Sequence, residues 1–303
     1  MPLDERALAI FRDNPEAVPR FFRSELHHSP EFYDLFTHAA VRRAASCLLK
    51  TRTLVMYPVY MGRMNIPDLP QQENGFHQDP LYTYEYFNAN ASLESMERFM
   101  ASKVNFWTPL KDVDAEVGTL MVRRGFEQRI GRYREWTRTV YGSNFSELVT
   151  DVSELPPAEV VVLDDLKAGD LVVFAHRTPH RGTSNTAKGR VRWSMDWRLQ
   201  DGHFTTMRDE AGFLVQSDNW GDANLLTRER WGDVKHAPRW SERAKSRGKL
   251  VAVPAMGQRL ELGGVHATTA PDSCVGGSQA LLRRKPGSHL LWGSSCHRWW
   301  DHP

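Results

Sequence analysis

The segment Gly75-Phe76-His77-Gln78-Asp79-Pro80 carries the sharpest chemical pattern in the chain. In an extended strand or turn, residues two apart project to the same side. His77 and Asp79 can therefore offer an imidazole nitrogen and a carboxylate oxygen to one metal ion. Downstream, His180 stands in PHRGTSN, shortly after the apolar run DLVVFA. Two histidines and one carboxylate form a facial triad, the ligand set of non-haem Fe(II) sites. Such a triad leaves three positions open, enough for a bidentate co-substrate and dioxygen. His176 competes with His180 as a ligand, because on one continuous strand the two would share a face. Either histidine alone, and H-x-D alone, is more often structural.

Arg192 changes that balance. It lies in RVRWSMDWRL, where polar and apolar residues alternate without exception. Arg190, Arg192, Ser194, Asp196 and Arg198 fall on one face of a strand; Val191, Trp193, Met195, Trp197 and Leu199 fall on the other. The apolar face must pack on helices or a second sheet. The polar face must look at water or an anion, and a barrel lumen holding a carboxylate ligand would satisfy it. The Arg192 guanidinium suits a bidentate grip on such a carboxylate, with Ser194 adding a hydroxyl. The plainer alternative pairs Arg192 with Asp196 on the same face.

These groups need elements to hold them. Residues 1 to about 50 place apolar residues three and four apart, the helical period, and Ser29-Pro30 reads as an N-cap followed by a first-turn proline. TLVMYPVYM, KVNFWTPL, VGTLMV, EVVVL, DLVVFA and RVRWSMDWRL are short, β-branched and aromatic, separated by Gly, Pro and Asp turns. Residues 93–102 and 127–150 are expected as helices or long loops between them. Many short strands without βαβ alternation predict an antiparallel sandwich or barrel.

Composition bounds the rest. The chain has 303 residues, 41% hydrophobic and 25% charged, which is enough to bury a sizeable core. No run of about 18 apolar residues occurs, so no membrane helix is expected. A net charge of +2 gives no reason to expect a nucleic-acid partner. MPLDERALAIFRD has early acids and no long apolar run, so a secretory leader is not expected. Cys47, Cys274 and Cys296 make no disulfide framework, and a reducing, cytoplasmic setting is the default. Residues 247–303 are Gly/Ser-rich, with seven basic residues against three acidic ones, and are expected as a poorly ordered tail. Cys296, His297 and His302 lack the second cysteine pair that would make a metal site persuasive.

Four segments in order complete the pattern: GFHQDP, VNFWTPLKDVDAEVGTLMV, LKAGDLVVFAHRTPHRGTSN and RVRWSMDWRL. Together they resemble the phytanoyl-CoA dioxygenase-like (PhyH) family of Fe(II)/2-oxoglutarate-dependent oxygenases, over roughly residues 50–200. The resemblance implies a mainly β fold with flanking helices and a double-stranded β-helix core (jelly-roll, cupin-like), within one domain over residues 1–246. It implies His77, Asp79 and His180 as iron ligands and Arg192 as the grip on the distal carboxylate of 2-oxoglutarate. Trp107 would line the co-substrate pocket. HRGTSN matches the family's H-x-x-x-x-N, which favours His180 over His176. In two places the chain departs from the family. Arg123-Arg124-Gly125-Phe126 stands where P-G-S-H is usual. Gly182 stands where the distal motif often has Ser, leaving Thr183 or Ser194 to substitute.

The activity implied is hydroxylation of a C–H bond in a small organic metabolite, with Fe(II), 2-oxoglutarate and O2 consumed to give succinate and CO2. Desaturation, ring formation and epoxidation stay open. Asp79 speaks against halogenation, since related halogenases lack the carboxylate ligand. Tyr82, Tyr84, Tyr86 and Phe87 could line an aromatic entrance or simply pack in a core; Arg123, Arg124 and Arg129 could attract an anionic substrate or be solvated. Two alternatives have other chemistry: a cupin-like isomerase or hydrolase without 2-oxoglutarate, and a non-catalytic binding barrel. The first leaves Arg192 without a purpose; the second need not keep the triad and Arg192 together.

Overall fold

The computed structural model describes residues 1–14, 29–57, 60–67, 75–79, 101–124, 133–140, 143–150, 159–204, 212–218, 225–232 and 279–282. Two compact units are present. The first comprises Met1–Ser24, Met61–Glu85 and Trp107–Asp196; the second comprises Glu25–Tyr60, Tyr86–Phe106 and Trp197–Pro303.

In the first unit, helix α1 (Leu3–Arg12) places Ala7 and Phe11 one turn apart, and both are buried. They pack in a cluster with Met64, Ile66, Val191 and Trp193. The carboxylate of Asp4 anchors this helix. It accepts from Lys111 Nζ at 2.6 Å, from Trp193 Nε1 at 2.9 Å and from the Val191 amide at 3.3 Å. Burial acts to raise the Asp4 pKa, but these three hydrogen bonds and the Lys111 charge outweigh it and hold it below the ordinary carboxylate value. A depressed folded pKa means stability that is present above the unfolded value and lost as pH falls through the folded one. Asp4→Asn is therefore expected to cost about 1–3 kcal/mol near neutrality. In urea denaturation the gap between the two proteins should close as pH drops below about 4.

Strand β2 (Met61–Asn65) pairs antiparallel with β10 (Arg192–Asp201), setting Arg192 opposite Asn65 and Ser194 opposite Arg63. A three-stranded sheet runs β7 (Val160–Val162), β4 (Leu120–Arg123), β9 (His180–Gly182). Leu120, Val122, Val172 and Phe174 form its apolar core with Trp107, the last from β3 (Lys103–Pro109) and Phe174 from β8 (Leu171–Ala175).

The second unit holds helices α2 (Pro30–Phe36), α3 (Ala39–Leu49) and α4 (Arg228–Gly232). Ser29 caps α2 as expected, its hydroxyl accepting from the Phe32 amide at 3.2 Å. Phe32 and Phe36 lie one turn apart and meet Trp231, the Phe36–Trp231 rings edge-on with centroids 4.9 Å apart. Strand β1 (Leu54–Met56) pairs antiparallel with β10 on one side and with β11 (Phe213–Gln216) on the other. Phe106 stacks flat on Trp197 at 5.4 Å.

All these pairings are antiparallel, and with the flanking helices they give the mainly β class expected. One expectation fails. Residues 133–140 and 143–150, within the stretch read as helix or long loop, form a hairpin of β5 (Tyr133–Val140) and β6 (Ser143–Thr150), with Val140 opposite Ser143. Charged residues such as Arg134, Glu135 and Glu147 break the apolar alternation there. The β-branched and aromatic content of YREWTRTV was the better guide. Within the 247–303 tail, Gln279–Leu282 forms a short strand, β12; Cys296, His297 and His302, like Tyr82–Phe87 and Arg129, lie outside the described residues. Among the described residues, no helix is long and apolar enough to cross a membrane.

Candidate metal centre

His77 and His180 face each other across an antiparallel bridge. The His77 amide donates to the His180 carbonyl at 3.1 Å, and the His180 amide returns the bond at 3.0 Å. Residues directly opposed in this way send their side chains to the same face. The two imidazoles accordingly lie with ring centroids 4.3 Å apart. Asp79 joins them two residues along. Its Oδ1 sits 3.8 Å from His77 Nε2 and 3.7 Å from His180 Nε2. One atom from each of the three groups lies within 4.8 Å of the others, and all three residues are buried.

The two rings are oriented by the same local device. His77 Nδ1 lies 2.9 Å from the Gly75 carbonyl oxygen, and His180 Nδ1 lies 2.9 Å from that of Thr178. A carbonyl can only accept, so each Nδ1 must carry the proton. In the neutral ring, each Nε2 then presents a lone pair toward Asp79. This is the arrangement by which an outer hydrogen bond fixes the tautomer and aim of a metal-binding histidine. The gaps of 3.7 and 3.8 Å exceed a hydrogen bond. They fall inside the roughly 4 Å that two ligand bonds of about 2 Å can span around one ion. Two imidazoles and a carboxylate thus form a nitrogen and oxygen donor set that fits Fe(II).

His176 is set apart by a turn. The Thr178 amide donates to the Ala175 carbonyl at 2.9 Å, so β8 ends before His176 and β9 begins only at His180. The condition for His176 to rival His180, one continuous strand through both, is therefore not met. His176 is buried, its Nδ1 3.7 Å from Asp79 Oδ2, and it is not one of the three clustered groups.

Arg192 is buried, and its Nη1 donates to the Thr119 and Thr183 carbonyls at 3.1 and 3.3 Å. Asp196, its alternative partner from sequence, takes the Arg63 guanidinium at 2.5 Å. Gly182 leaves room beside Arg192: a Cβ there would meet the guanidinium nitrogens at 3.2 and 3.3 Å. The hydroxyl of Thr183 accepts from the Thr119 amide at 2.7 Å, so it already serves the backbone. Ser194, on the Arg192 face of β10, is fully buried, and its Oγ has no hydrogen-bond partner among the described residues. A buried hydroxyl in that state is uncommon, and it sets Ser194 apart from Thr183, whose hydroxyl is already engaged. Trp107, expected at the co-substrate pocket, packs in the apolar cluster with Phe174, whose ring lies 4.7 Å from that of His180.

Two further supporting roles are visible only in the structure. Asn185 is buried and stitches its loop, donating to the Asn65 and Arg190 carbonyls and accepting from the Ala187 amide. This gives the N of H-x-x-x-x-N a structural role. Thr119 anchors Arg192 through its carbonyl, which no side-chain pattern reveals. Gly118 before it adopts φ +82°, and a Cβ there would lie 2.5 Å from the Ser184 carbonyl oxygen. Gly118→Ala is expected to destabilise the protein by about 2–4 kcal/mol, measured by denaturant unfolding.

A family model described as Phytanoyl-CoA dioxygenase (PhyH) matches residues 8–192. No curated protein matches the chain. Among solved structures, the chain is similar to the apo non-heme monooxygenase ThoJ, with 19% identity, 64% of this chain and 63% of that chain covered, and a TM-score of 0.44. It is similar to the non-heme alpha ketoglutarate dependent carbocyclase SnoK from nogalamycin biosynthesis, at 22% identity, with 57% and 60% covered and a TM-score of 0.41. EctD from S. alaskensis with bound Fe follows at 16% identity, with 58% and 55% covered and a TM-score of 0.41. The chain thus spans less than two thirds of these structures' lengths. With the family model running from within α1 to the first residue of β10, the chain belongs to the phytanoyl-CoA dioxygenase (PhyH) family.

Proposed function

We propose that this protein hydroxylates a C–H bond of a small organic metabolite, using Fe(II), 2-oxoglutarate and O2 and releasing succinate and CO2. The observation that carries this reading is the bridge that turns His77 and His180 onto one face beside Asp79, with both Nδ1 protons committed to carbonyls. When bound, the iron with 2-oxoglutarate supplies the oxidising chemistry. The chain's own residues do the rest. His77 and His180 would hold the metal through Nε2, and Asp79 would add the negative charge that neutral imidazoles lack. Arg192 would take the distal carboxylate of 2-oxoglutarate, with Ser194 donating a hydroxyl hydrogen bond to it. Burial of all five side chains keeps bulk water from the ligand set.

Incubation of the purified protein with Fe(II), ascorbate and 2-oxoglutarate tests the reading. Succinate should appear slowly without the true substrate and faster with it, together with a product heavier by one oxygen. No oxygen-dependent succinate from a protein that holds iron would sink the assignment. A cyclised, epimerised or desaturated product would keep the class and replace hydroxylation.

A further inference from the structure

The residue between the two ligands of H-x-D is as deeply buried as they are. Gln78 is fully buried, and its Nε2 donates to the Arg177 carbonyl at 2.5 Å. Arg177 belongs to the tight turn closed by the Thr178 amide on the Ala175 carbonyl. That turn supplies the Thr178 carbonyl that receives His180 Nδ1. One continuous path therefore runs from the segment bearing His77 and Asp79, through the Gln78 amide, to the carbonyl that aims the third ligand. A second contact joins the same two segments. Phe76 and Arg181 flank the bridged histidines on opposite strands, and the Arg181 guanidinium carbon lies 5.1 Å from the Phe76 ring centroid.

From this geometry we infer that Gln78 is a positioning residue for the metal centre, which holds the turn at 175–178 so that His180 meets His77 and Asp79 already aimed. The inference rests on the reading of those three residues as ligands. A side chain of similar length without an N–H donor cannot hold the Arg177 carbonyl, and the His180 ring then loses the fixed carbonyl behind it. Outer groups that orient metal ligands commonly set affinity by about 10–100-fold.

Co(II) serves as the probe, followed by its visible absorption and by titration against the full-length protein. Gln78→Met is expected to raise the Co(II) Kd by about 10–100-fold and to alter the band shape. Gln78→Glu, which keeps the size but offers only acceptors when ionised, should do the same and stands in if the Met variant does not fold. Thr108→Val provides the comparison for general loosening. Its hydroxyl donates to the Asp170 carbonyl at 2.7 Å and it is equally buried, so it should lower thermal stability without changing Co(II) affinity. Native affinity and spectrum in both Gln78 variants would overturn the inference while leaving the ligand assignment intact. So would a Co(II) affinity that falls in Thr108→Val as far as in Gln78→Met. A native protein that binds no Co(II) would overturn both.

Discussion

Replacing Asp79 or His180 by alanine is expected to weaken Fe(II) or Co(II) binding by more than about 100-fold and to abolish succinate formation. An outer group that merely aims a ligand is worth about 10–100-fold in affinity, so a ligand itself must be worth more. Asp79 should be the most sensitive of the three. It supplies the negative charge of the set, and with its side chain 2% exposed no nearby water can readily stand in for it. His180→Ala removes a nitrogen whose tautomer is already set by the Thr178 carbonyl, so the loss includes that preorganisation. His176→Ala is the discriminating partner variant. Its Nδ1 lies near the outer oxygen of Asp79, and the protein should keep its metal within about tenfold. Metal content after dialysis and Co(II) titration measure all three. Loss of metal confined to His176→Ala would move the third ligand to that position.

His77 and Asp79 were legible because an extended chain puts alternate residues on one side, a rule that needs no partner. The alternation in RVRWSMDWRL likewise placed Arg192 and Ser194 together on a strand, and both are buried on β10. What the sequence did not reveal was register. Nothing local to either histidine says that residue 77 bridges residue 180, yet that bridge is what brings their rings together. Backbone acceptors were equally invisible: the Gly75, Thr178 and Thr119 carbonyls hold His77, His180 and Arg192, and any residue type would offer the same oxygen. The separation of His176 from His180 also depended on a turn, and Pro179 marked it only in part. Trp107 shows the opposite limit. The resemblance put it at the co-substrate pocket, and what the structure shows is a buried aromatic within an apolar cluster.

Arg192→Ala is expected to raise the KM for 2-oxoglutarate by about 100-fold, while Co(II) affinity stays near native. The reasoning starts from how the guanidinium is held. Nη1 is fixed by the Thr119 and Thr183 carbonyls, and Gly182 gives the planar group space against the backbone of β9. A fork fixed in this way can meet a carboxylate without further loss of side-chain freedom. Charge-assisted bonds of this kind contribute about 1.5–3 kcal/mol each to binding, and each 1.4 kcal/mol is tenfold. Arg192→Lys keeps the charge but loses the planar fork, so its KM should rise by about tenfold. Substrate choice gives the sharper reading. The native protein should prefer 2-oxoglutarate strongly over 2-oxobutyrate, which has the keto-acid end but no distal carboxylate. In Arg192→Ala that preference should collapse, because only the longer acid has lost a partner. Ser194→Ala should reduce the same preference by a smaller factor, about three- to tenfold, as befits one neutral hydroxyl. A native KM for 2-oxoglutarate in Arg192→Ala, with the preference intact, would place the carboxylate elsewhere and leave the buried guanidinium a structural role.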